Sequence, residues 1–230
     1  MNTRPFNQVF FDCDSTLTRI EGIDELARNA DVADQLIPLT AAAMNGDMPL
    51  EEVYSRRLHV IQPTSQDVQW LAQRYQEEVV DHAVDVIAKL HQLGKAVHII
   101  SGGLRQPIIE LGALLEIKSE NIHAVDINFD ADDNYNGFDQ TNVLASNGGK
   151  AKVCKMLAKA NDRNVLIGDG VTDLEAIDVG VVVIGFGGVA RREEVVKRAA
   201  VFIDGPDFSD ILEVILTPEE KTKLQIKTGA

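Results

Sequence analysis

Two aspartates stand two positions apart in Phe10-Phe11-Asp12-Cys13-Asp14-Ser15-Thr16-Leu17, directly behind the apolar run Val9 to Phe11. In an open α/β sheet, ligands bind at the carboxyl ends of the strands, so a carboxylate pair there is positioned for chemistry. Ser101-Gly102-Gly103 follows the apolar run Ala96 to Ile100 and precedes the helical stretch Gln106 to Leu115. That brings a hydroxyl and unobstructed N–H groups to a helix N-terminus, a setting for an anion. Lys150 opens the helical stretch Gly149 to Ala160, where the helix dipole disfavours a cation that lacks an anionic partner. Gly168-Asp169-Gly170-Val171-Thr172-Asp173 follows Val165 to Ile167 and adds two more carboxylates. Four aspartates gathered at one sheet edge repel each other and any phosphate; a divalent ion resolves this, and all-oxygen ligands favour Mg2+ over zinc. Taken singly, each motif has a plainer reading. Acidic residues behind strands form turns, Ser-Gly-Gly is an ordinary helix cap, and a lysine at a helix start can be solvated.

The elements that must position these groups are legible from hydrophobic patterning. Short β-rich runs at Val9–Phe11, Ala96–Ile100, Ile122–Phe129, Val165–Ile167, Val181–Ile184 and Val201–Ile203 are mostly separated by helix-like stretches, which predicts an α/β domain with a mostly parallel sheet. The runs are continuously apolar, as expected of strands covered on both faces. Asn128 to Gly137 is crowded with Asp, Asn and Gly and reads as a hairpin tip. About 80 residues separate the first two strands, far more than a simple crossover needs, and that stretch has helical periodicity throughout. Its clearest helix follows Pro49 and aligns Leu50, Val53, Tyr54, Leu58 and Ile61 on one face. Arg57 falls on the same apolar stripe, so its charge needs a partner or a route to solvent, whereas Arg56 points elsewhere. Further helices are expected around Ile23–Leu36, Val68–Tyr75 and Val84–Leu93, and Lys221 to Ala230 reads as a solvated or frayed tail.

Composition narrows the classes. With 45% apolar residues in a chain of 230, there is material for a sizeable core, which excludes a disordered or fibrous protein. A net charge of −14 argues against nucleic acid or an anionic membrane as a partner. No apolar run approaches the length of a membrane helix, and two cysteines cannot frame a disulfide scaffold, so a reducing cytoplasm is expected. Cys13 and the histidines His59, His82, His91, His98 and His123 form no ligand spacing, and Trp70 and Tyr75 read as helix core.

The ordered set DxDxT, Ser, Lys and GDGxTD resembles the haloacid dehalogenase superfamily. Glu21-Gly22-Ile23-Asp24-Glu25-Leu26, Ile61-Gln62-Pro63, Gly137-Phe138-Asp139, Gly148-Gly149-Lys150 and Ile184-Gly185-Phe186-Gly187-Gly188 are similar to its phosphoserine phosphatase family, so the likeness spans about residues 8 to 212. The resemblance implies a Rossmann-like, doubly wound core (1–17 and 82–230) with a small inserted helical cap (18–81). It implies a Mg2+-dependent phosphatase that hydrolyses O-phospho-L-serine in serine biosynthesis. Asp12 is similar to the family nucleophile and Asp14 to its acid and base. Ser101, with Gly102 and Gly103, and Lys150 correspond to the phosphoryl-holding groups. Asp12, the main-chain carbonyl of Asp14, and Asp169 correspond to the metal ligands, and Asp173 to the residue that orients Lys150. Arg57 is similar to the residue that grips the substrate carboxylate and Glu21 to the amine ligand, although Thr18-x-x-Glu21 is also a capping-box pattern. Met44, Thr172 and Arg192 match further pocket positions, while Asn45 replaces a glycine found beside that methionine in relatives.

Three other readings share parts of this signal. Another small phosphomonoester, or transfer of the phosphoryl group to an alcohol, would use the same motifs. A receiver-type signalling module also combines Asp, Ser or Thr, Lys and Mg2+, but Asp14 at +2, the helical insert and the chain length argue against it.

Overall fold

The computed structural model describes residues 4–227. Among the described residues there are eight strands: β1 (Gln8–Phe11), β2 (Ala96–Leu104), β3 (Ile122–Val125), β4 (Ile127–Phe129), β5 (Tyr135–Phe138), β6 (Asn164–Gly168), β7 (Val182–Phe186) and β8 (Val201–Ile203). Six form one sheet in the order β3-β2-β1-β6-β7-β8, every pair parallel. The strand order reverses at β1 and β6, the point where an open sheet parts to admit a ligand. Both of these strands are buried along their whole length, which explains their unbroken Val, Ile, Leu and Phe content.

Four helices, α1 (Gly22–Asn29), α2 (Ala33–Asn45), α3 (Leu50–Ile61) and α4 (Ser65–Glu77), lie between β1 and α5 (Ala83–Gln92). The apolar stripe of α3 is buried, Arg57 included. The core continues through α6 (Arg105–Leu114), α7 (Gly149–Leu157), α8 (Val171–Leu174), α9 (Glu193–Arg198), α10 (Asp210–Ile215) and α11 (Pro218–Lys227). No helix among the described residues is long and apolar enough to cross a membrane.

Several elements differ from the sequence expectation for local reasons. The stretch Ile23–Leu36 breaks into α1 and α2 where Asp31 turns to φ +55°. Ile122–Phe129 divides into β3, on the main sheet, and β4, which pairs antiparallel with β5 as the expected hairpin. Ser101-Gly102-Gly103 lies within β2, because that strand runs on to Leu104 through a register shift against β3. The helix from Gly149 ends at Leu157. Lys221 to Lys227 is not frayed but forms the body of α11, exposed or half-buried as far as Gln225. Thr217 N–H donates to Glu220 Oε2 at 2.9 Å and Glu220 N–H donates to Thr217 Oγ1 at 3.2 Å. That is a capping box, with Pro218 at the first helical position. The buried Lys95 ammonium then ties Glu220 at 2.5 Å to the Phe6 carbonyl at 2.8 Å. Residues 228–230 lie outside the described residues.

On β2 and β3, His98 Nδ1 and His123 Nε2 meet at 3.3 Å, with His98 only 8% exposed and edge-on to Phe10. Burial, with the His123 and Lys159 charges adding, pulls the His98 pKa down to about 4 from its ordinary 6.5. The unfolded chain therefore binds more protons between those two values, and stability falls as pH falls through that window. Denaturant unfolding at pH 7.5 and pH 5.0 should show a loss smaller in His98→Gln than in the parent by about 1 kcal/mol, allowing for solvent near the pair. An equal loss in both proteins would show that His98 does not couple to folding.

Candidate active site

Because β1 and β6 run parallel with Phe11 beside Ile167, the residues that follow them leave the sheet together. Asp12 and Asp169 emerge near each other, and Lys150, from the first turn of α7, enters between the carboxylates of Asp12 and Asp173. Its Nζ lies 2.7 Å from Asp12 Oδ2 and 2.6 Å from Asp173 Oδ1, and all three side chains are buried. Gly168 makes this packing possible: a Cβ there would stand 2.2 Å from Asp173 Cγ, so only glycine lets Asp173 lean over the strand end. Burial opposes the Lys150 charge, but Asp12 and Asp173 outweigh it and drive its pKa upward. A buried cation at a helix start also needs help from the backbone end. Gly148, the N-cap of α7, donates its N–H to Glu175 Oε1 at 2.7 Å, so a carboxylate faces the dipole that Lys150 opposes.

Asp14 turns the other way. Its Oδ1 accepts from Gly22 N–H at 2.8 Å and from the Tyr75 hydroxyl at 2.7 Å. Burial pushes its pKa up to about 6, and those two hydrogen bonds hold it from going further. Ser101 is 1% exposed, and its Oγ accepts from Gly103 N–H at 2.9 Å, which leaves its own proton free to donate. Glu21 starts α1 without making the expected capping box. It accepts from Ser15 Oγ at 2.7 Å and lies 3.5 Å from Arg192 Nη2, while Thr18 Oγ1 bonds the Cys13 and Ile20 carbonyls. Burial, with Asp14 and Asp169 adding, raises the Glu21 pKa well above its ordinary value.

Asp12, Asp14, Glu21, Ser101 and Lys150 share a cavity of about 60 Å3. Asp12, Asp14, Ser101, Gly102, Gly103 and Lys150 line its sheet side. Glu21, Met44 and Arg57 line it from the inserted helices or their approach, and Thr172 from α8. Asp169 and Asp173 do not line it, although their carboxylates lie close to that of Asp12. Arg192 is also outside the lining, bridging Glu21 and, at 3.1 Å, Asp169 Oδ2. Asn45 is exposed at the end of α2. Tyr75, expected as plain helix core, is fully buried and yet holds Asp14. A buried tyrosine hydroxyl needs a partner, and that was the available signal.

The donor set fits a hard divalent cation. Oxygens of Asp12, Asp169 and Asp173 lie within 4.8 Å of one another, all buried. Asp169 Oδ2 has no hydrogen-bond donor in line, because the Arg192 contact is a charge pair with poor hydrogen-bond geometry. Burial foremost, then Asp12 against the pull of Arg192, lifts Asp169 to about 7; burial and Asp12 lift Asp173 to about 8. That concentration of negative charge is what a cation of the Mg2+ type relieves, and the ligands are all oxygen.

A model of the haloacid dehalogenase-like hydrolases matches residues 9–178. The phosphoserine phosphatases of Bos taurus and Homo sapiens are each 36% identical over 206 residues, covering 89% of this chain and 91% of theirs. The chain belongs to the haloacid dehalogenase-like hydrolases and, within them, to the phosphoserine phosphatase family. A solved phosphoserine phosphatase in a substrate-bound complex shares the fold, with a TM-score of 0.81 at 22% identity, over 94% of this chain and 100% of that one. In this family member the two aspartates of the first motif face one cavity by opposite anchoring, Asp12 to Lys150 and Asp14 to Tyr75 and Gly22.

That anchoring leaves no room at Gly103. A Cβ there would lie 2.9 Å from Asp14 Oδ2, 3.1 Å from Ser101 Oγ and 3.2 Å from Ile108 Cδ1. Gly103→Ala should lower phosphatase turnover at least about tenfold, through displacement of Asp14 and Ser101, with a melting temperature near the parent's. Undiminished turnover would show that neither side chain is needed in its present position.

Proposed function

We propose that this chain hydrolyses O-phospho-L-serine to L-serine and inorganic phosphate, with Mg2+ as cofactor, as the closing step of a phosphorylated route to serine in the cytoplasm. Residues 18–81 act as a cap over a catalytic core of 1–17 and 82–230. The observation that carries the reading is Arg57: a guanidinium 4% exposed, with an unpartnered Nε, lining the same cavity as Asp12 and Asp14. A phosphate end meets Lys150 and Ser101, and a carboxylate end meets Arg57. The relatives act, by their names, on phosphoserine, which has both ends.

Asp12, Asp169 and the main-chain carbonyl of Asp14 would hold the metal, which supplies positive charge to the phosphoryl oxygens and to the carboxylates around them. An oxygen of Asp12 attacks phosphorus, the bond from phosphorus to the seryl oxygen breaks, and the proton on Asp14 passes to that oxygen. Water then attacks the aspartyl-phosphate, its proton returns to Asp14, and the bond from phosphorus to Asp12 breaks, restoring both carboxyl groups. A pKa of about 6 suits Asp14 to give and take that proton near neutrality. Lys150 and the free Ser101 proton hold phosphoryl oxygens, and Asp173 keeps Lys150 aimed. Glu21 faces the substrate ammonium, while Met44, Thr172, Gly102 and Gly103 shape the walls and Arg192 restrains Glu21 and Asp169.

Acid-quenched mass spectrometry during turnover should find a phosphoryl adduct on Asp12, phosphate release should stop in excess chelator, and Asp12→Asn should be inactive. An adduct on Ser101, or full turnover in chelator, would overturn the nucleophile or the metal respectively. For the substrate, Arg57→Ala should lower kcat/KM on phosphoserine by about one to two orders of magnitude and that on p-nitrophenyl phosphate far less. Equal losses on the two esters would return the substrate to an unspecified phosphomonoester.

A further inference from the structure

Arg57 is buried, yet no carboxylate among the described residues pairs with it directly. Its one side-chain hydrogen bond among the described residues runs from Nη1 to Thr40 Oγ1, at 3.2 Å. Thr40 Oγ1 in turn donates to Asp24 Oδ1 at 2.6 Å. Asp24, Thr40 and Arg57 are 7%, 2% and 4% exposed, and they come from α1, α2 and α3. The direction of this chain follows from chemistry. A guanidinium accepts no hydrogen bond and a carboxylate donates none, so the single hydroxyl proton of Thr40 points to Asp24 and its lone pair to Arg57. The Tyr54 ring, 5.7 Å from the guanidinium carbon, flanks the same group.

The interposed hydroxyl solves a problem that a direct ion pair would create. A buried arginine needs an opposite charge nearby, but a carboxylate forked onto it would occupy the N–H groups that an incoming carboxylate requires. With Asp24 one hydroxyl away, the guanidinium is oriented and partly compensated, while Nε stays unpartnered. Asp24 stands in the first turn of α1, where the helix dipole favours its charge.

We propose that Thr40, backed by Asp24, is a positioning residue that presents Arg57 to the carboxylate of the substrate and so sets the preference for amino-acid phosphates. This rests on the reading of Arg57 given above. The test compares the parent, Thr40→Val, Thr40→Ser, Arg57→Ala and the Thr40→Val/Arg57→Ala double variant on phosphoserine and on phosphoethanolamine, which keeps the ammonium and lacks the carboxylate. Thr40→Val should raise KM for phosphoserine about tenfold with kcat less affected, and should change kcat/KM on phosphoethanolamine by less than about threefold. Thr40→Ser should recover most of the loss, and Thr40→Val should add almost nothing once Arg57 is Ala. Should Val at 40 abolish cooperative melting, Thr40→Ala carries the same expectations. Equal losses on both substrates, no rescue by Ser, or full additivity with Arg57→Ala would overturn the proposal and leave Thr40 a structural contact between helices. If Arg57→Ala is selective for phosphoserine and Thr40→Val is not, only this inference falls. If Arg57→Ala is itself unselective, the carboxylate reading fails and takes the inference with it.

Discussion

A buried ammonium clasped by two buried carboxylates is the interaction on which the site depends. Lys150 is 5% exposed, Asp12 6% and Asp173 fully buried, so each charge is tolerable only because the others are present. The clasp draws together three parts of the chain that have no local reason to meet: the end of β1, the start of α7 and the short helix α8 behind β6. It also sets the remaining chemistry. With Asp12 turned toward Lys150 and its Oδ1 taking Cys13 N–H at 2.8 Å, the first carboxylate of the motif is held still. The second, Asp14, is left to face the opposite wall.

That wall belongs to the helical insert. Tyr75 from α4 and Gly22 at the start of α1 hold Asp14, and the network of Asp24, Thr40 and Arg57 spans α1, α2 and α3. The insert is joined to the other side through Asn147, whose Oδ1 accepts from Leu50 N–H and whose own N–H donates to Glu51, both at 3.1 Å. Pro49 gives α3 no side-chain cap, so a residue from the loop before α7 serves the helix start. One short loop therefore touches α3 through Asn147 and Glu175 through Gly148, immediately ahead of Lys150.

Much of this was legible in the sequence. Unbroken Val, Ile and Phe runs identify buried parallel strands, the Leu50 to Ile61 stripe identifies α3, and Arg57 stands out on that stripe because a charge on an apolar face is costly. The capping box at Thr217-Pro218-Glu219-Glu220 was equally readable, although the Lys-rich composition behind it suggests a tail. The break between α1 and α2 was not readable, because Asp31 is a non-glycine residue at positive φ and nothing in its type requires that.

The residue types and spacings by themselves determined which groups could do chemistry and at which strand ends they stand, since strand periodicity and the carboxyl-edge rule act over a few residues. Only the tertiary structure decided their partners. Tyr75 reaches Asp14 across 61 residues, Lys150 reaches Asp173 across 23 and Glu175 reaches Gly148 across 27. Whether a buried polar atom is a structural bond or a working one depends on which distant donor or acceptor folding brings within 3 Å, a distance set by packing and not by local sequence pattern.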